Sequence, residues 1–436
     1  MEKYIPGTET EISFLAQEKP SEFEQMESYG TIQEYSGFRD KTFWERIGVG
    51  GSITAKPIVH NDTIFFGACD KNFYAVSLAG KELWRFGTGG TIQSYAAAEG
   101  NRVYFGSGDR NLYCLDTGTG KLVWRFQSDG HVGGSPVLHK GRVYFGSSDG
   151  NLYVLDAATG KMIWVFRTSQ PLITPLIEDD NIFVGYNGGS LYCLGLNGEL
   201  RWRFNANAWI SAWPAASDED SIYFGSGDRN LYSLKRNGYL KWRYTTKDIV
   251  LCPVIKDGKI YVGSGDNRLY CISSEGKRLW DYQAEDSVGH VTVSGDTAYF
   301  GSYDNHMYAV DKDTGRLLWR FKTNGFVHTN PTVYRDFVVL GCWDCNLYVL
   351  DKEGRLKWRF MTSMSAPSKV EPPEETTTKR FELVMKSATK KEEVKRYKAE
   401  NVLGNYEANV TDYASGMSKT YLSSKKRGYI GDTGKY

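Results

Sequence analysis

Residues 135–166 read SPVLHKGRVYFGSSDGNLYVLDAATGKMIWVF, and this segment holds four short β-prone runs separated by turn residues. The apolar run that ends at Gly146, the turn around Asp149 and the run centred on Tyr153 predict a β-hairpin. A second turn, DAATG, leads to a strand that contains Trp164. Since no stretch between these runs is long enough for a connecting helix, we expect four antiparallel strands.

The same pattern recurs along the chain with a period near 40 residues. Nine of the 12 tryptophans share one register, at intervals of 38 to 40 residues. They are Trp44, Trp84, Trp124, Trp164, Trp202, Trp242, Trp280, Trp319 and Trp358. Eight hairpins also align without gaps, each with a glycine that ends one strand and a tyrosine seven residues later. Four strands per repeat of this length predict an all-β, eight-bladed β-propeller with four-stranded antiparallel blades.

An aspartate follows the hairpin glycine by three residues in seven of the eight units, with Gly188 as the exception. Asp favours such turns because its carboxylate binds nearby backbone N–H groups. We therefore interpret these aspartates as turn residues and not as calcium ligands. No catalytic triad and no metal-binding histidine spacing is present in the sequence.

The periodic aromatic residues are assigned to packing. A single four-stranded sheet buries too little apolar surface to be stable alone, and each aromatic side chain offers roughly 150–250 Å² to bury. We expect neighbouring blades to stack on these rings. The tryptophans predicted to pack the blades together are Trp84, Trp124, Trp164, Trp202, Trp242, Trp280, Trp319 and Trp358.

Composition narrows the functional classes. The chain has 436 residues, a net charge of +1 and a mean hydropathy of −0.46. The even charge balance disfavours nucleic-acid binding, and no apolar run reaches the ~18 residues of a membrane span. Seven scattered cysteines and an N-terminus without a signal-peptide pattern predict a cytoplasmic protein. The lone CxxC motif, Cys342 and Cys345, lacks the further ligands that a zinc site needs.

The repeat resembles the pyrroloquinoline-quinone-type (PQQ-like) propeller family, whose units have the form xPxxxxGxVYFGSxDGxLYxLDxxTGxxxWxF. Residues 135–166 fit this form almost throughout, and the resemblance spans about residues 47–361. It implies two kinds of function. Some members are scaffolds, such as the lipoprotein of the outer-membrane β-barrel assembly machinery, which has no cofactor. Others are quinone- and calcium-dependent alcohol dehydrogenases.

We favour the scaffold, a non-enzymatic propeller that binds proteins as a subunit of a larger assembly. The quinoprotein enzymes resemble one another in long insertions, a vicinal cysteine pair and acidic calcium ligands, and this sequence has no such features. We therefore expect no PQQ, no calcium and no other cofactor. The alternative is a quinone- or small-molecule-binding enzyme, similar to the PQQ-dependent dehydrogenases, that uses the central channel.

The first strand of each unit is expected to line the channel. The residues just before the proline position vary in type while the blade positions do not, so specificity could be encoded there. The same holds two residues earlier, at Thr54, Gln93, Gly133, Leu172, Ser211, Val250, Val288 and His328. From these two rings, the candidates for a channel or face binding site are Lys56, Tyr95, Trp213, His290, His328 and Asn330.

The ends lie outside the repeats. We divide the chain into an N-terminal extension (1–43), the propeller (44–361) and a C-terminal segment (362–436) with a linker, a weakly amphipathic helix pattern and a polar tail. Tails of that composition commonly fold on partners, so residues 362–436 and the propeller face are the expected protein contacts. The alternative for the tail is a solvated segment that binds no partner. The strand of Trp44 is expected to pair into the last blade and close the ring, which would leave the Trp358 strand redundant or displaced outward.

Overall fold

The computed structural model describes residues 50–185, 188–210 and 216–362. These residues form eight four-stranded sheets, and in each sheet four consecutive strands pair with their neighbours along the chain. All the pairings are antiparallel, as in the hairpin where Phe145 faces Tyr153. This confirms the predicted all-β propeller with eight blades. The two ends of the chain, with Trp44, lie outside the described residues.

Each blade contributes one strand to each of four positions. The first strands are β1 (Ile58–His60), β5 (Ala97–Glu99), β9 (Val137–His139), β13 (Leu176–Glu178), β17 (Ala216–Ser217), β21 (Val254–Lys256), β25 (Val288–Ser294) and β29 (Thr332–Tyr334). The second strands are β2 (Thr63–Gly67), β6 (Arg102–Gly106), β10 (Arg142–Gly146), β14 (Asn181–Gly185), β18 (Ser221–Gly225), β22 (Lys259–Ser264), β26 (Thr297–Ser302) and β30 (Phe337–Gly341).

The other two positions complete the blades. The third strands are β3 (Asn72–Ser77), β7 (Asn111–Asp116), β11 (Asn151–Asp156), β15 (Ser190–Gly195), β19 (Asn230–Lys235), β23 (Arg268–Ser273), β27 (His306–Asp311) and β31 (Asn346–Asp351). The fourth strands are β4 (Glu82–Gly87), β8 (Leu122–Gln127), β12 (Met162–Arg167), β16 (Leu200–Asn205), β20 (Leu240–Thr245), β24 (Arg278–Gln283), β28 (Leu317–Lys322) and β32 (Leu356–Met361).

Burial assigns these positions to layers. The second and third strands are almost wholly buried, whereas the fourth strands alternate between exposed and half-buried residues. First strands touch those of the next blade at most of the blade junctions, and β29 of the last blade touches β1 of the first. The first strands therefore surround the central channel, and the fourth strands form the outer rim.

The hairpin aspartate and tyrosine act together. In blade 2, Asp109 accepts a hydrogen bond from the backbone N–H of Asn111 at 3.1 Å and another from the Tyr113 hydroxyl at 2.7 Å. The same carboxylate accepts the N–H of Gly89, in the connection from blade 1, at 2.7 Å. Arg110, between them, has a left-handed φ of 71°. The interpretation of this aspartate as a turn residue is confirmed.

Aromatic side chains fill the space between blades. Phe73 of blade 1 stacks on Phe105 of blade 2 with ring centroids 3.9 Å apart. Every fourth-strand tryptophan donates from Nε1 to a backbone carbonyl of the next blade, at 2.7 to 3.2 Å. In order, the acceptors belong to Thr117, Ala157, Leu196, Arg236, Ser274, Lys312, Lys352 and Leu78.

The ring closes through blade 8 and blade 1. The Trp358 strand is neither redundant nor displaced outward: β32 pairs with β31 as the fourth strand of blade 8. Trp358 Nε1 donates to the Leu78 carbonyl of blade 1 at 2.9 Å. Ile53 N–H donates to the Cys342 carbonyl at 3.0 Å, and the Thr362 hydroxyl donates to the Gly51 carbonyl at 2.7 Å. The last blade is complete in itself because the eighth repeat supplies all four of its strands.

Candidate functional site: the central channel

The channel residues lie on the stretches that lead into the first strands. Lys56, Tyr95 and Asn330 each precede a first strand by two residues, and His290 lies within β25. Side-chain bonds join these stretches around the ring. Thr292 of blade 7 donates to the Pro331 carbonyl at 2.7 Å, and Thr332 of blade 8 donates to the Pro57 carbonyl.

A hydrogen bond inside the channel links blade 2 to blade 8. The Tyr95 hydroxyl donates to Asn330 Oδ1 at 2.7 Å, and the Asn330 amide donates to the Val291 carbonyl of blade 7 at 3.1 Å. Burial is the main cause that raises the pKa of Tyr95 well above its ordinary value. The phenol is therefore a neutral donor at neutral pH. Blade 1, which carries Lys56, lies between blades 8 and 2, so the bond defines one sector of the channel, at blades 8, 1 and 2.

Two histidines stand side by side in the same sector. The ring centroids of His290 and His328 are 4.9 Å apart, with 64° between the ring planes. Burial lowers the pKa of His328 to about 4. Burial, then His328, then Lys56 hold the pKa of His290 well below its ordinary value. Both imidazoles are therefore neutral at neutral pH.

Lys56 supplies the positive charge of the sector. Its side chain is half-buried, and burial lowers its pKa. No carboxylate among the described residues forms an ion pair with it, and burial is the only cause of its pKa shift. Its charge is the smallest of three causes that lower the pKa of His290, after burial and His328.

The structure brings five of the six sequence candidates together. Lys56 acts on His290, His290 contacts His328, and Tyr95 binds Asn330. The sixth candidate, Trp213, lies outside the described residues. That the five bind a ligand stays a prediction.

The prediction that the residues two positions earlier also face the channel was wrong at three positions. Leu172, Val250 and Val288 were expected to face the channel, but each is buried in a hydrophobic cluster between blades. The connection into blades 4 and 6 is one residue shorter than that into blade 3, and β25 of blade 7 has a register shift between Val288 and Val291. Each change turns the side chain from the channel to the core.

An aromatic cluster beside the histidines was not predicted from the sequence. Tyr303 and Phe326 have ring centroids 5.0 Å apart, Phe326 and Trp343 are 5.6 Å apart, and Tyr303 lies 5.5 Å from His328. The available signal was a departure from the repeat. Most blades have a small residue one position before the hairpin aspartate, whereas blades 7 and 8 have Tyr303 and Trp343 there.

The CxxC cysteines belong to the hairpin turn of blade 8. Cys342 is buried, with its thiol against the Gly325 carbonyl at 3.4 Å, and Cys345 holds the left-handed turn position with φ 68°. Burial raises the pKa of both thiols. Within the described part of the chain, no three His, Cys, Asp or Glu side chains gather as a metal site would require.

Comparison with known proteins identifies the family. Residues 70–208, 188–291 and 287–387 each match the family model described as outer membrane protein assembly factor BamB. These matches span well over half of the sequence, so the chain belongs to this family of PQQ-like propellers, and the predicted resemblance is confirmed. No curated protein matches the sequence.

Two solved structures share the fold. The computationally designed Ika8 protein superposes with a TM-score of 0.63 at 18% identity, covering 69% of this chain and 96% of Ika8. BamB from Moraxella catarrhalis superposes with a TM-score of 0.56 at 15% identity, covering 69% of this chain and 94% of BamB. In the described ranges, the structure has no helix with the length and apolar character needed to cross a membrane.

Proposed function

We propose that this propeller is a non-enzymatic scaffold that binds other proteins, and that the outer edge of blade 3 receives one of them. The family model is described as an assembly factor, and such a role is exercised through other proteins. The observation that carries the proposal is the absence of charge on one outer strand.

Charges protect the outer strands of the other seven blades. An outer strand with unpaired backbone groups is a template for pairing with another chain, and charged side chains are a common protection. In each of these blades a charged residue stands directly beside the tryptophan. These residues are Arg85, Arg125, Arg201, Arg203, Lys241, Arg243, Asp281, Arg320, Lys357 and Arg359.

Blade 3 lacks this protection. Ile163 and Val165 flank Trp164 in β12, so this strand has no charge between Met162 and Phe166. The side chains of Met162 and Ile163 are 54% and 44% exposed. Within the described chain, β12 pairs only with β11, so its outer edge is unpaired.

The neighbouring rim extends the apolar surface. In blade 2, the outer strand exposes Leu122 and Val123. The register shift opposite Leu155 leaves Ile163 as a bulge, and every other blade has a bulge at the same place. A β-bulge disrupts strand pairing locally. The backbone N–H and C=O groups of blade 3 that can pair with another strand are therefore those from Trp164 to Arg167.

The occupant we propose is an extended segment of a partner protein that adds beside β12 as a fifth strand. In that mode the main chain supplies hydrogen bonds and alternate side chains supply specificity. The segment would lie beside Trp164 to Arg167, and an apolar residue at one of its ends would contact the exposed side chains of Met162 and Ile163.

A photo-cross-linking residue at Met162, which is 54% exposed, tests this edge. We expect it to capture one partner through a short extended peptide, identified by mass spectrometry. The matched control is the same cross-linker at Leu240, which is 47% exposed on an outer strand that has charges on both sides of its tryptophan. The double variant Ile163→Lys with Val165→Arg gives blade 3 the charges of blade 5. An unchanged amount of captured partner in that variant would contradict the proposal.

Residues 362–436 and the propeller face stay a second candidate contact for partners. Removal of residues 363–436 tests this part: loss of a partner that the blade 3 variant retains would assign that partner to the C-terminal segment. We propose the cytoplasm as the location. All seven cysteines are free thiols, which suits a reducing compartment.

A further inference from the structure

We propose that the channel sector formed by Lys56, His290 and His328 binds a small oxyanion of the carboxylate or phosphate type. These residues come from blades 1, 7 and 8 and meet where the ring closes. The site is separate from the outer edge of blade 3, so a negative result at one of the two sites leaves the proposal for the other unaffected.

The charge of Lys56 calls for an anion. A partly buried ammonium without an opposite charge is costly, and Lys56 forms no ion pair among the described residues. The stretches that lead into the eight first strands contain no Asp or Glu. They are residues 53–58, 92–97, 132–137, 172–176, 210–216, 249–254, 288–292 and 327–332. An anion that enters the channel would compensate this charge and hold Lys56 in its protonated form.

His328 supplies a neutral imidazole beside this charge, in contact with His290. His290 and His328 are neutral at neutral pH because burial lowers the pKa of each. Each neutral imidazole has one N–H that can donate to an oxygen. Nε2 of His328 is buried and has no hydrogen-bond partner among the described residues. The ammonium of Lys56 and Nε2 of His328 together fit a small oxyanion better than a bulky ligand, with the His290 ring packed against His328.

A metal ion fits the same sector poorly. The ammonium of Lys56 acts on His290 and would repel a cation there. The carboxylates that would offset this repulsion are missing from the surrounding stretches. The histidine pair is therefore better matched to an anion that Lys56 attracts.

Calorimetric titration of the full chain with inorganic phosphate, and separately with acetate, tests the site. Both titrations use a chloride buffer at constant ionic strength, and the histidine imidazole signals are followed by NMR. We expect saturable binding of at least one anion at one site, with shifts of two histidine signals. The anion that binds distinguishes a phosphate-type site from a carboxylate-type site.

Variants at Lys56 connect the binding to the charge. Lys56→Met should weaken the anion about tenfold or more, whereas Lys56→Arg should retain most of the affinity. The control is Lys322→Met, at an exposed lysine of β28. Equal affinities of the wild type and Lys56→Met overturn the proposal. If neither anion binds the wild type or shifts its histidine signals, the proposal is overturned however the variants fold.

Discussion

Gly160, in the turn between the third and fourth strands of blade 3, has a φ of +70°, and an added Cβ would lie 2.6 Å from Cδ2 of Trp124 in blade 2. Gly120 stands in the same relation to Trp84. The glycine thus meets two requirements, a left-handed backbone and close approach to the indole of the previous blade. The repeat showed that both residues are periodic, but sequence spacing does not show that a tryptophan packs on the glycine of the following unit.

Gly160→Ala should destabilise the protein by about 2–5 kcal/mol. The left-handed conformation costs an L-residue about 1–2 kcal/mol, and overpacking against the Trp124 ring adds about 1–3 kcal/mol. The change in the free energy of unfolding can be measured by urea denaturation.

Gly141→Ala is the matched control. Gly141 lies in the same blade with φ +72°, but an added Cβ there has no heavy atom within 4 Å. Only the backbone cost of about 1–2 kcal/mol applies. If the two variants were equally destabilised, the Trp124 contact would have no energetic importance.

At the scale of strands, most of each blade could be predicted and one regular feature could not. Apolar runs, glycines and turn residues predicted four strands per unit. The bulge in every fourth strand was not predicted. In blade 3 it lies where Val154 faces Trp164 and Leu155 faces Met162, which leaves Ile163 without a partner. A bulge adds one residue to one strand, and a sequence pattern of period two does not show which strand carries it.

Val165→Arg should leave the stability of the propeller unchanged within about 0.5 kcal/mol. Arg85 and Arg203 occupy the equivalent position in blades 1 and 4, where their guanidinium groups lie 5.5 and 5.4 Å from the centroids of Tyr74 and Tyr192. An arginine at position 165 can lie over Tyr153 in the same way. Thermal and urea unfolding of the variant provide the measurement. A loss of more than about 1 kcal/mol would mean that Val165 is needed for packing, and that the uncharged edge has a structural explanation.

At the scale of the whole molecule, the sequence predicted the number of blades but not the contacts inside the channel. The period gave the number of blades because every blade repeats the same local pattern. The channel does not repeat, and its bonds join distant parts of the chain: Tyr95 and Asn330 are 235 residues apart in sequence. Proximity of this kind depends on ring closure and on single-residue differences in connection length, as at Leu172 and Val250. The place of each residue in the repeat predicted that His290 and His328 line the channel. It did not predict that their imidazole rings would be in contact.

A closed ring has no end blade, so its last interface should matter as much as any other. Trp358 Nε1 donates to the Leu78 carbonyl of blade 1 at 2.9 Å, and Trp242 Nε1 donates to the Ser274 carbonyl of blade 6 at 2.8 Å. Phenylalanine at either position removes the donor and leaves a partly buried carbonyl unsatisfied, a loss of about 1–3 kcal/mol.

We therefore expect Trp358→Phe and Trp242→Phe to lower the free energy of unfolding by equal amounts in urea, each in a single transition. In an open array the terminal repeat contacts one neighbour only and frays first. A much smaller loss for Trp358→Phe, or a separate early transition in that variant, would show that blades 8 and 1 are weakly joined in solution. Equal losses would mean that the closing interface, where Lys56 and the histidine pair meet, is as firmly held as the rest of the ring.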